Sequence, residues 1–348
     1  MYRNIPRMNV VVVFFPKQGL FHEMGTEHLE SPKRLQILYE ALEEHQRELK
    51  VEFKKSEPVS KEDLMTIHTK NLVALVENSS KVERTYLTPD TITNSETWKA
   101  SLAAAGAAKE AVRVAYKKKT TTVALVRPPG HHATSDVAMG FCFFNNIALA
   151  AELFLEDLSK KQRVLIIDID QHHGNGTQDI FYNRQDVLYM SLHCNPKYSF
   201  PGTGEPLELG KGKGLGYSIN IPLPFETDDD SYMNAFDQIV LPIAKFYDPE
   251  IILVSMGFDA LIGDPYGELG LTPNGFFRIG SRIAQLKKSC KNRVACILEG
   301  GYKYEDLGEA IYMFLKGLDQ NGKLEDVKEE DSRNIERLKA IFRNYWEI

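Results

Sequence analysis

The sequence has few cysteines and no long apolar stretch. Its four cysteines, Cys142, Cys194, Cys290 and Cys296, are scattered without C-x-x-C spacing. This pattern favours reduced thiols in a cytosolic protein over a disulfide framework. The early apolar run VVVVFFP is far shorter than the ~20 residues of a membrane helix, and no signal-peptide cleavage pattern accompanies it. We therefore expect a cytoplasmic protein that is not inserted in a membrane. Only YKKKT resembles a nuclear import segment, so a nuclear location stays open.

The chain also lacks an excess of positive charge, internal repeats and low-complexity segments. Its 42 Lys and Arg residues against 48 Asp and Glu residues give a net charge of −6, which argues against direct nucleic-acid binding. A length of 348 residues with 43% hydrophobic content allows a large core. We expect one domain over residues 1–348. The charged segment 320–348, with Ile335, Leu338, Ile341 and Phe342 at helical spacing, is predicted to be a C-terminal helix packed on it.

Apolar runs that lead into polar residues recur along the chain. Five strand-like runs are TTVALV, RVLIIDID, VLYMSLH, PEIILVSMGFD and RVACILEGGY. Helical patterns such as WKASLAAAGAAKEAVRVAYKK separate some of them, which is typical of β-α-β units and predicts an α/β fold with a largely parallel sheet. Because carboxyl ends of parallel strands form a common ligand crevice, the polar clusters after the runs should meet at one edge.

The stretch VLIIDIDQHHGNGTQ, residues 164 to 178, places carboxylates and imidazoles between an apolar run and glycines. Residues two apart in a strand share a face, so Asp168, Asp170 and His172 should converge if the extended conformation continues. Asp170, His172 and Asp259 together suit a divalent ion such as zinc, with a position left for water or substrate. A structural zinc would more often use cysteines, and none lies at zinc spacing in these motifs.

Two adjacent histidines, His131 and His132 in RPPGHHA, offer groups for proton transfer. A metal-activated water needs a base, and a leaving amine needs an acid. Asp168 would keep one histidine charged, whereas the amide of Asn175 would leave the other nearer neutral. Tyr302, on a Gly-Gly turn, offers a phenol donor that could polarise a carbonyl. The isolated histidines, which are His22, His28, His45 and His68, are interpreted as ordinary polar residues, and GKGKGLG as a turn.

As a set, these motifs resemble a known family. RPPGHHA, GFCFFNN, DIDQHHGNGTQDIFY, SLH, FPGTGE, GFDALIGDP and EGGY look like the zinc-dependent histone deacetylase superfamily, in particular its class II-like branch. That branch includes bacterial deacetylase-like amidohydrolases and acetylpolyamine amidohydrolases. The resemblance runs from about His22 to Tyr302. It implies the arginase/deacetylase fold, three αβα layers around a mainly parallel sheet. It also implies a zinc-dependent hydrolase that removes acetyl or related acyl groups from lysine side chains.

The resemblance also implies site roles, position by position. Asp170, His172 and Asp259 would ligate one catalytic zinc ion. His132 would act as general base and general acid. His131, paired with Asp168, would be its electrostatic partner. Tyr302 would bind the acyl oxygen. The implied substrate contacts are Gly140, Phe141 and Phe200 in a narrow acyl-lysine tunnel and Asp90 on the substrate backbone. A structural potassium ion would use Asp168, Ser191 and carbonyls around His193, and a second one would lie near Phe181 and Val187.

Two departures from the family pattern affect substrate access. Leu29 in TEHLESPKR replaces a proline of the entrance loop. Tyr266 in GDPYGE occupies the position where a polyamine-selective branch carries an acidic gatekeeper. An acyl-lysine protein or peptide is therefore the expected substrate, and a small acylated amine such as an acetylpolyamine is the alternative. An arginase-like ureohydrolase would need D-x-H-x-D spacing, which DIDQHH does not provide. A non-catalytic binding module would not need His131, His132 and Tyr302.

Overall fold

The computed structural model describes residues 10–157, 162–319 and 333–348. A parallel sheet of eight strands forms its centre, in the order β2-β1-β5-β10-β9-β6-β7-β8. These strands are β1 (Val11–Phe14), β2 (Val51–Lys54), β5 (Thr121–Ala124), β6 (Val164–Asp168), β7 (Val187–Cys194), β8 (Ser218–Leu223), β9 (Ile251–Met256) and β10 (Val294–Leu298). A separate antiparallel pair consists of β3 (Thr85–Tyr86) and β4 (Ile92–Thr93). The predicted α/β fold with a mainly parallel sheet is confirmed.

Helices flank the sheet. They are α1 (Pro32–Glu44), α2 (Gln46–Leu49), α3 (Lys61–Leu64), α4 (Lys70–Ser79), α5 (Thr97–Lys118), α6 (Asn146–Glu156), α7 (Asn175–Phe181), α8 (Asp229–Ala235), α9 (Leu241–Tyr247), α10 (Pro273–Leu286), α11 (Tyr304–Asp319) and α12 (Arg333–Phe342), with a π-helical segment, Phe236–Val240, joining α8 to α9. The alanine-rich helix α5 buries small side chains against β5, β10, β1 and α6, because small residues let a helix approach a sheet closely.

The five strand-like runs of the sequence form the middle of the sheet. β5, β10, β9, β6 and β7 are contiguous neighbours, and each is buried along its whole length. Strands covered by helices on both faces are continuous apolar runs, which is why the sequence identifies them. The carboxyl ends of these five strands therefore lie side by side, as predicted.

The edge strand β2 was not predicted from the sequence. β2 is a short strand whose residues Glu52, Phe53 and Lys54 are only partly buried or exposed, so its sequence carries little apolar pattern. In GKGKGLG, a 3-10 turn over Gly212–Gly214 precedes β8, which matches the interpretation as a turn. None of the helices described for this chain combines the length and apolar character needed to cross a membrane.

The C-terminal segment packs on the body through one face. Ile335, Leu338 and Phe342 of α12 are buried in the main core, and the indole of Trp346 donates a hydrogen bond to the Gly216 carbonyl at 2.7 Å. The first part of the predicted C-terminal helix, residues 320–332, lies outside the described residues.

Candidate metal and active site

The polar residues after the central strands line one cavity of about 390 Å³. His131 and His132 follow β5, Asp170 and His172 follow β6, Asp259 follows β9 and Tyr302 follows β10. The predicted wall residues Gly140, Phe141, Phe200, Tyr266 and Asp90 line the same cavity. Side chains that are distant in sequence therefore meet at the carboxyl edge of the sheet.

Asp170, His172 and Asp259 form the candidate metal centre. One ligand atom from each lies within 4.8 Å of the other two. The His172 Nδ1 atom is 3.2 Å from Asp170 Oδ1 and 3.1 Å from Asp259 Oδ2. Backbone N–H groups hold the other carboxylate oxygens, since Gly300 donates to Asp170 at 2.8 Å and Gln171 donates to Asp259 at 2.9 Å. The second oxygen of each carboxylate faces the His172 ring, so the three candidate ligands converge as a cation requires.

Glycine makes this approach possible. A Cβ atom on Gly300 would lie 2.1 Å from Asp259 Oδ2 and 2.7 Å from Asp170 Oδ2. A Cβ atom on Gly257 would lie 2.1 Å from Asp170 Oδ2. Both positions exclude a side chain, because real Cβ atoms do not approach other atoms this closely. The carboxylates thus sit in a cradle formed by backbone.

The electrostatics of the pocket also favour a cation. Burial and the neighbouring Asp170 carboxylate raise the pKa of Asp259 to about 7. Although burial lowers the pKa of His172, Asp259 and Asp170 raise it well above its usual value. Two buried carboxylates at this distance repel each other, and a positive charge between them relieves the repulsion. The donor set, the backbone cradle and the charge all fit a zinc ion.

The expected convergence of Asp168 with Asp170 and His172 is only partly correct. β6 ends at Asp168, so the strand alternation does not continue to His172. The backbone turns after the strand, and Asp170 Oδ1 accepts the His172 N–H at 2.9 Å. Asp168 instead faces His131, with Asp168 Oδ2 3.1 Å from His131 Nδ1. Strand geometry therefore misplaced Asp168, whose histidine partner is His131.

The two adjacent histidines have different partners. His131 Nδ1 donates to Asp168, and His132 Nδ1 lies 2.8 Å from the Asn175 amide oxygen. Burial lowers the pKa of His131, but Asp170 and Asp168 outweigh it and raise the value to about 10. Burial and the charge of His131 hold the pKa of His132 well below its usual value. At neutral pH these shifts favour a charged His131 beside its carboxylate and a neutral His132, whose low pKa comes from burial and the neighbouring charge rather than from the Asn175 amide.

Hydrogen bonding also fixes the tautomer of His132. An amide oxygen only accepts, so the proton of neutral His132 lies on Nδ1. The opposite nitrogen, Nε2, keeps its lone pair, and His132 lines the cavity. This is the arrangement of a general base.

Tyr302 also lines the cavity. Its backbone N–H donates to Asp264 Oδ2 at 2.6 Å, and the Arg34 guanidinium lies 4.7 Å from its ring centre. Burial raises the pKa of the Tyr302 phenol well above its usual value. The hydroxyl therefore stays protonated and can donate a hydrogen bond at neutral pH.

Aromatic side chains form the walls. The Phe200 ring lies 5.0 Å from His132, while Phe141 and Tyr266 lie 5.9 Å and 5.0 Å from Tyr302 between ring centres. Gly140 has φ +55°, and a Cβ atom there would lie 2.5 Å from the His132 ring. Rings around a cavity can enclose an aliphatic stem and leave its polar end to reach the metal centre.

The rim contains predicted and unexpected residues. Asp90 lines the cavity, and its Oδ1 atom accepts hydrogen bonds from Thr88 and Thr91. His28, which the sequence analysis interpreted as an ordinary polar residue, also lines the cavity and packs edge-on against Phe141 at 4.9 Å. The carbonyl of Leu29 accepts a hydrogen bond from the Tyr304 hydroxyl at 2.8 Å, which anchors the entrance loop.

Sequence reasoning missed two buried supporting residues, Glu299 and Gln171. Glu299 accepts hydrogen bonds from the Gly130 and His131 N–H groups at 2.7 Å and 3.1 Å, and burial raises its pKa to about 7. Gln171 bonds Glu268 twice, through Glu268 N–H and Glu268 Oε2. EGGY and DIDQHH contain Glu299 and Gln171, but their partners are distant in sequence, so no local pattern indicates the contacts.

The residues assigned to potassium are placed as follows. Asp168 in β6 is paired in register with Ser191 in β7, and the Ser191 hydroxyl lies 2.8 Å from His193 Nδ1. Phe181 ends α7 and Val187 begins β7, and both are buried. These positions keep the oxygen-bearing residues Asp168 and Ser191 adjacent.

Comparison with known proteins gives one family. Residues 28–318 match the histone deacetylase domain. The chain is 35% identical to a probable deacetylase of Archaeoglobus fulgidus over 97% of this chain and 99% of that protein. It is 31% identical to histone deacetylase 6 of Caenorhabditis elegans over 99% of this chain but 39% of that protein. The crystal structure of the HDA15 HD domain superimposes with a TM-score of 0.87 at 33% identity, covering 97% of this chain and 96% of that one.

Proposed function

Because the chain belongs to the histone deacetylase family and is a hydrolase of amide bonds, we propose that it removes acetyl or related acyl groups from lysine side chains. The observation that carries this proposal is the convergence of Asp170, His172 and Asp259 with two histidines and a tyrosine in one aromatic-walled cavity. An acetyl-lysine side chain has an aliphatic stem that suits these walls and an amide that would reach the polar end.

We propose that Asp170, His172 and Asp259 hold one zinc ion. When bound, zinc acts as a Lewis acid that stabilises negative charge on the reacting acyl group. Three protein ligands leave a position open, as in catalytic zinc sites. The backbone cradle and the mutual repulsion of the carboxylates support this assignment.

The remaining residues divide the proton chemistry. His132 is neutral with a free Nε2, so it accepts the proton of the attacking water and later returns a proton to the departing lysine amine. His131 is kept charged by Asp168 and lies next to His132, where its charge stabilises the negative charge that develops. Tyr302 donates its phenol proton in a hydrogen bond to the acyl oxygen.

We propose a potassium ion beside Asp168 and Ser191, with a second ion near Phe181 and Val187. The register that makes Asp168 and Ser191 neighbours supports the first site, since carboxylate and hydroxyl oxygens suit a hard cation. Thermal unfolding in potassium and in tetramethylammonium salts tests this assignment. Equal midpoints in the two salts would contradict it.

A small acylated amine is the alternative substrate. The gatekeeper position holds Tyr266, which has no carboxylate. Glu268 and Asp90 nevertheless line the cavity, and their carboxylates would attract a second ammonium group. The deciding experiment compares hydrolysis of an acetyl-lysine peptide with hydrolysis of N-acetylputrescine, using Asp259→Ala as the control. Preference for the peptide, lost in the control, supports a lysine deacylase. Preference for the small amine would replace it with the alternative.

A further inference from the structure

A second cavity, of about 300 Å³, lies at the carboxyl ends of β7 and β8. Its walls include Asn195, which follows β7, and Phe225, which follows β8, together with Tyr198, Pro206 and Arg337. The volume is at the lower end of the range for ligand sites, ~300–1,000 Å³, which suits one large side chain rather than a cofactor. The proposed mechanism does not use this cavity.

One loop separates this second cavity from the candidate active site. In residues 195–206, Asn195, Tyr198 and Pro206 line the second cavity, whereas Phe200 lines the active-site cavity. Tyr198 and Phe200 are two residues apart, so their Cα atoms are at most about 7 Å apart. The loop is fixed on the active-site side, because the Ser199 hydroxyl donates to Glu268 at 3.0 Å.

The spacing of the strands gives a second estimate of the distance between the two cavities. β8 lies two strands from β6, which leads into Asp170 and His172. Neighbouring strands are about 4.8 Å apart, so β6 and β8 are separated by about 10 Å. An extended peptide advances about 3.3 Å per residue. A substrate whose acyl-lysine occupies the first cavity can therefore reach the second within about three residues.

Exposed aromatic rings mark the second cavity. The exposed fractions of Tyr198 and Phe225 are 59% and 47%, and their ring centres are 5.5 Å apart. Adjacent large apolar side chains left open to solvent are typical of binding surfaces. Pro206 and Pro224 stiffen the surrounding walls, so the cavity is preformed and needs little ordering to bind.

We infer that this second cavity is a subsite for peptide substrates, where an apolar or aromatic side chain about two to four residues from the acyl-lysine binds against Tyr198 and Phe225. The inference rests on the proposed lysine deacylase function. The two cavities lie on either side of the 195–206 loop, within reach of one extended peptide, and this closeness points to a flanking segment of the same substrate as the occupant. A small acylated amine is too short to reach it.

The test uses a series of acetyl-lysine peptides of equal length, in which a single phenylalanine moves through the four positions on either side of the acetyl-lysine. The zinc-loaded wild type and the variants Tyr198→Ala and Phe225→Ala are compared, with an Nα-blocked Nε-acetyl-lysine amide as a minimal substrate. Phe246→Ala is the matched control, because Phe246 is a similarly exposed phenylalanine, 53%, in α9 near the amino end of β9.

Wild type should prefer one phenylalanine position by about five- to tenfold in kcat/KM. Tyr198→Ala and Phe225→Ala should abolish that preference, Phe246→Ala should keep it, and all proteins should hydrolyse the minimal substrate equally. A wild type that hydrolyses the minimal substrate but shows no positional preference would overturn the subsite alone. So would a preference that survives in both variants. Failure to hydrolyse either class of lysine substrate would overturn the proposed function itself.

Discussion

At the scale of single residues, chemistry in this cavity depends on small differences in environment. His131 and His132 are adjacent in sequence, yet a carboxylate raises the pKa of one and burial beside that charge lowers the pKa of the other. The imidazoles are chemically identical in isolation. The difference arises from Asp168 at the end of β6, which favours a charged His131, and from burial beside that charge, whereas Asn175 at the start of α7 orients the His132 ring.

Tyr302→Phe removes only the phenol hydroxyl. Because that hydroxyl is the proposed donor to the acyl oxygen, we expect kcat to fall about 10²–10³-fold with the zinc content unchanged. Steady-state kinetics and metal analysis check both statements. Tyr266→Phe is the matched control, since Tyr266 lines the same cavity, and its kcat should stay within a few-fold of wild type. A Tyr302→Phe protein with wild-type turnover would remove Tyr302 from the mechanism.

His132→Ala and His172→Ala separate a base from a metal ligand. His132→Ala should retain zinc and lose activity, because Asp170, His172 and Asp259 stay in place. His172→Ala should lose zinc, since it removes one of three ligands. Metal content after dialysis distinguishes the two. If His132→Ala also loses its zinc, His132 is a ligand and the assignment of the base is wrong.

At the scale of elements, parallel strands bring the site together. The five apolar runs were predictable because strands buried on both faces have a strong sequence pattern. Their carboxyl ends were predictable as a meeting point because the topology of such sheets is restricted. The turn after β6 was not predictable, since the Asp168 and Asp170 carboxylates accept hydrogen bonds from the N–H groups of Asp170 and His172, and this local bonding replaces the strand alternation.

Loop-to-loop contacts are the part of the site that the sequence does not show. Gln171 lies between Asp170 and His172 and connects the turn after β6 to the loop that carries Tyr266. Its Nε2 atom donates to the Tyr266 carbonyl at 2.6 Å and to Glu268 at 2.8 Å, while its Oε1 atom accepts from Glu268 N–H at 2.7 Å. These partners are more than ninety residues away in the chain. A single sequence contains no period or motif that pairs such positions.

Gln171→Ala should loosen the cavity wall. The substitution removes hydrogen bonds to the partly buried Tyr266 carbonyl and to Glu268, at about 0.5–1.5 kcal/mol each. We therefore expect about 1–3 kcal/mol lower unfolding free energy and a larger KM, with the proposed zinc ligands intact. Urea unfolding and kinetics measure these effects. Gln238→Ala is the control, because Gln238 bonds to Asn234 and to Lys339, and none of these three residues lines the cavity. Unchanged KM in Gln171→Ala would show that the wall does not depend on this contact.

At the scale of the whole molecule, buried histidines distributed over the fold should make a contribution to stability that falls in mild acid. Burial lowers the pKa of His22 to about 3 and those of His68 and His193 to about 4. His68 cannot accept a second proton without loss, because its Nε2 accepts the Asn145 N–H at 2.9 Å and its Nδ1 lies 3.0 Å from the Thr134 carbonyl. The unfolded chain has histidines of ordinary pKa, ~6.5, and therefore binds protons that the folded chain does not.

The sign follows from that difference. Above pH ~6.5 these histidines are neutral in both the folded and the unfolded chain, so their contribution to the unfolding free energy is constant. Between pH ~6.5 and ~4 only the unfolded chain binds the protons, so this contribution falls as the pH falls. His68 alone should reduce the unfolding free energy by about 2 kcal/mol at pH ~5 relative to pH ~7.5. Urea titrations at the two pH values measure it. A smaller pH dependence in His68→Gln supports the assignment, and an identical one contradicts it.

The most direct measurement is acetate release from an acetyl-lysine peptide during removal and return of zinc. The chelated protein should be inactive, and zinc should restore activity at one ion per chain, because one three-ligand centre is proposed. Asp259→Ala should neither bind that ion tightly nor recover. Full activity in the chelated protein, or recovery in Asp259→Ala equal to wild type, would contradict the assignment of Asp170, His172 and Asp259 as the catalytic metal centre.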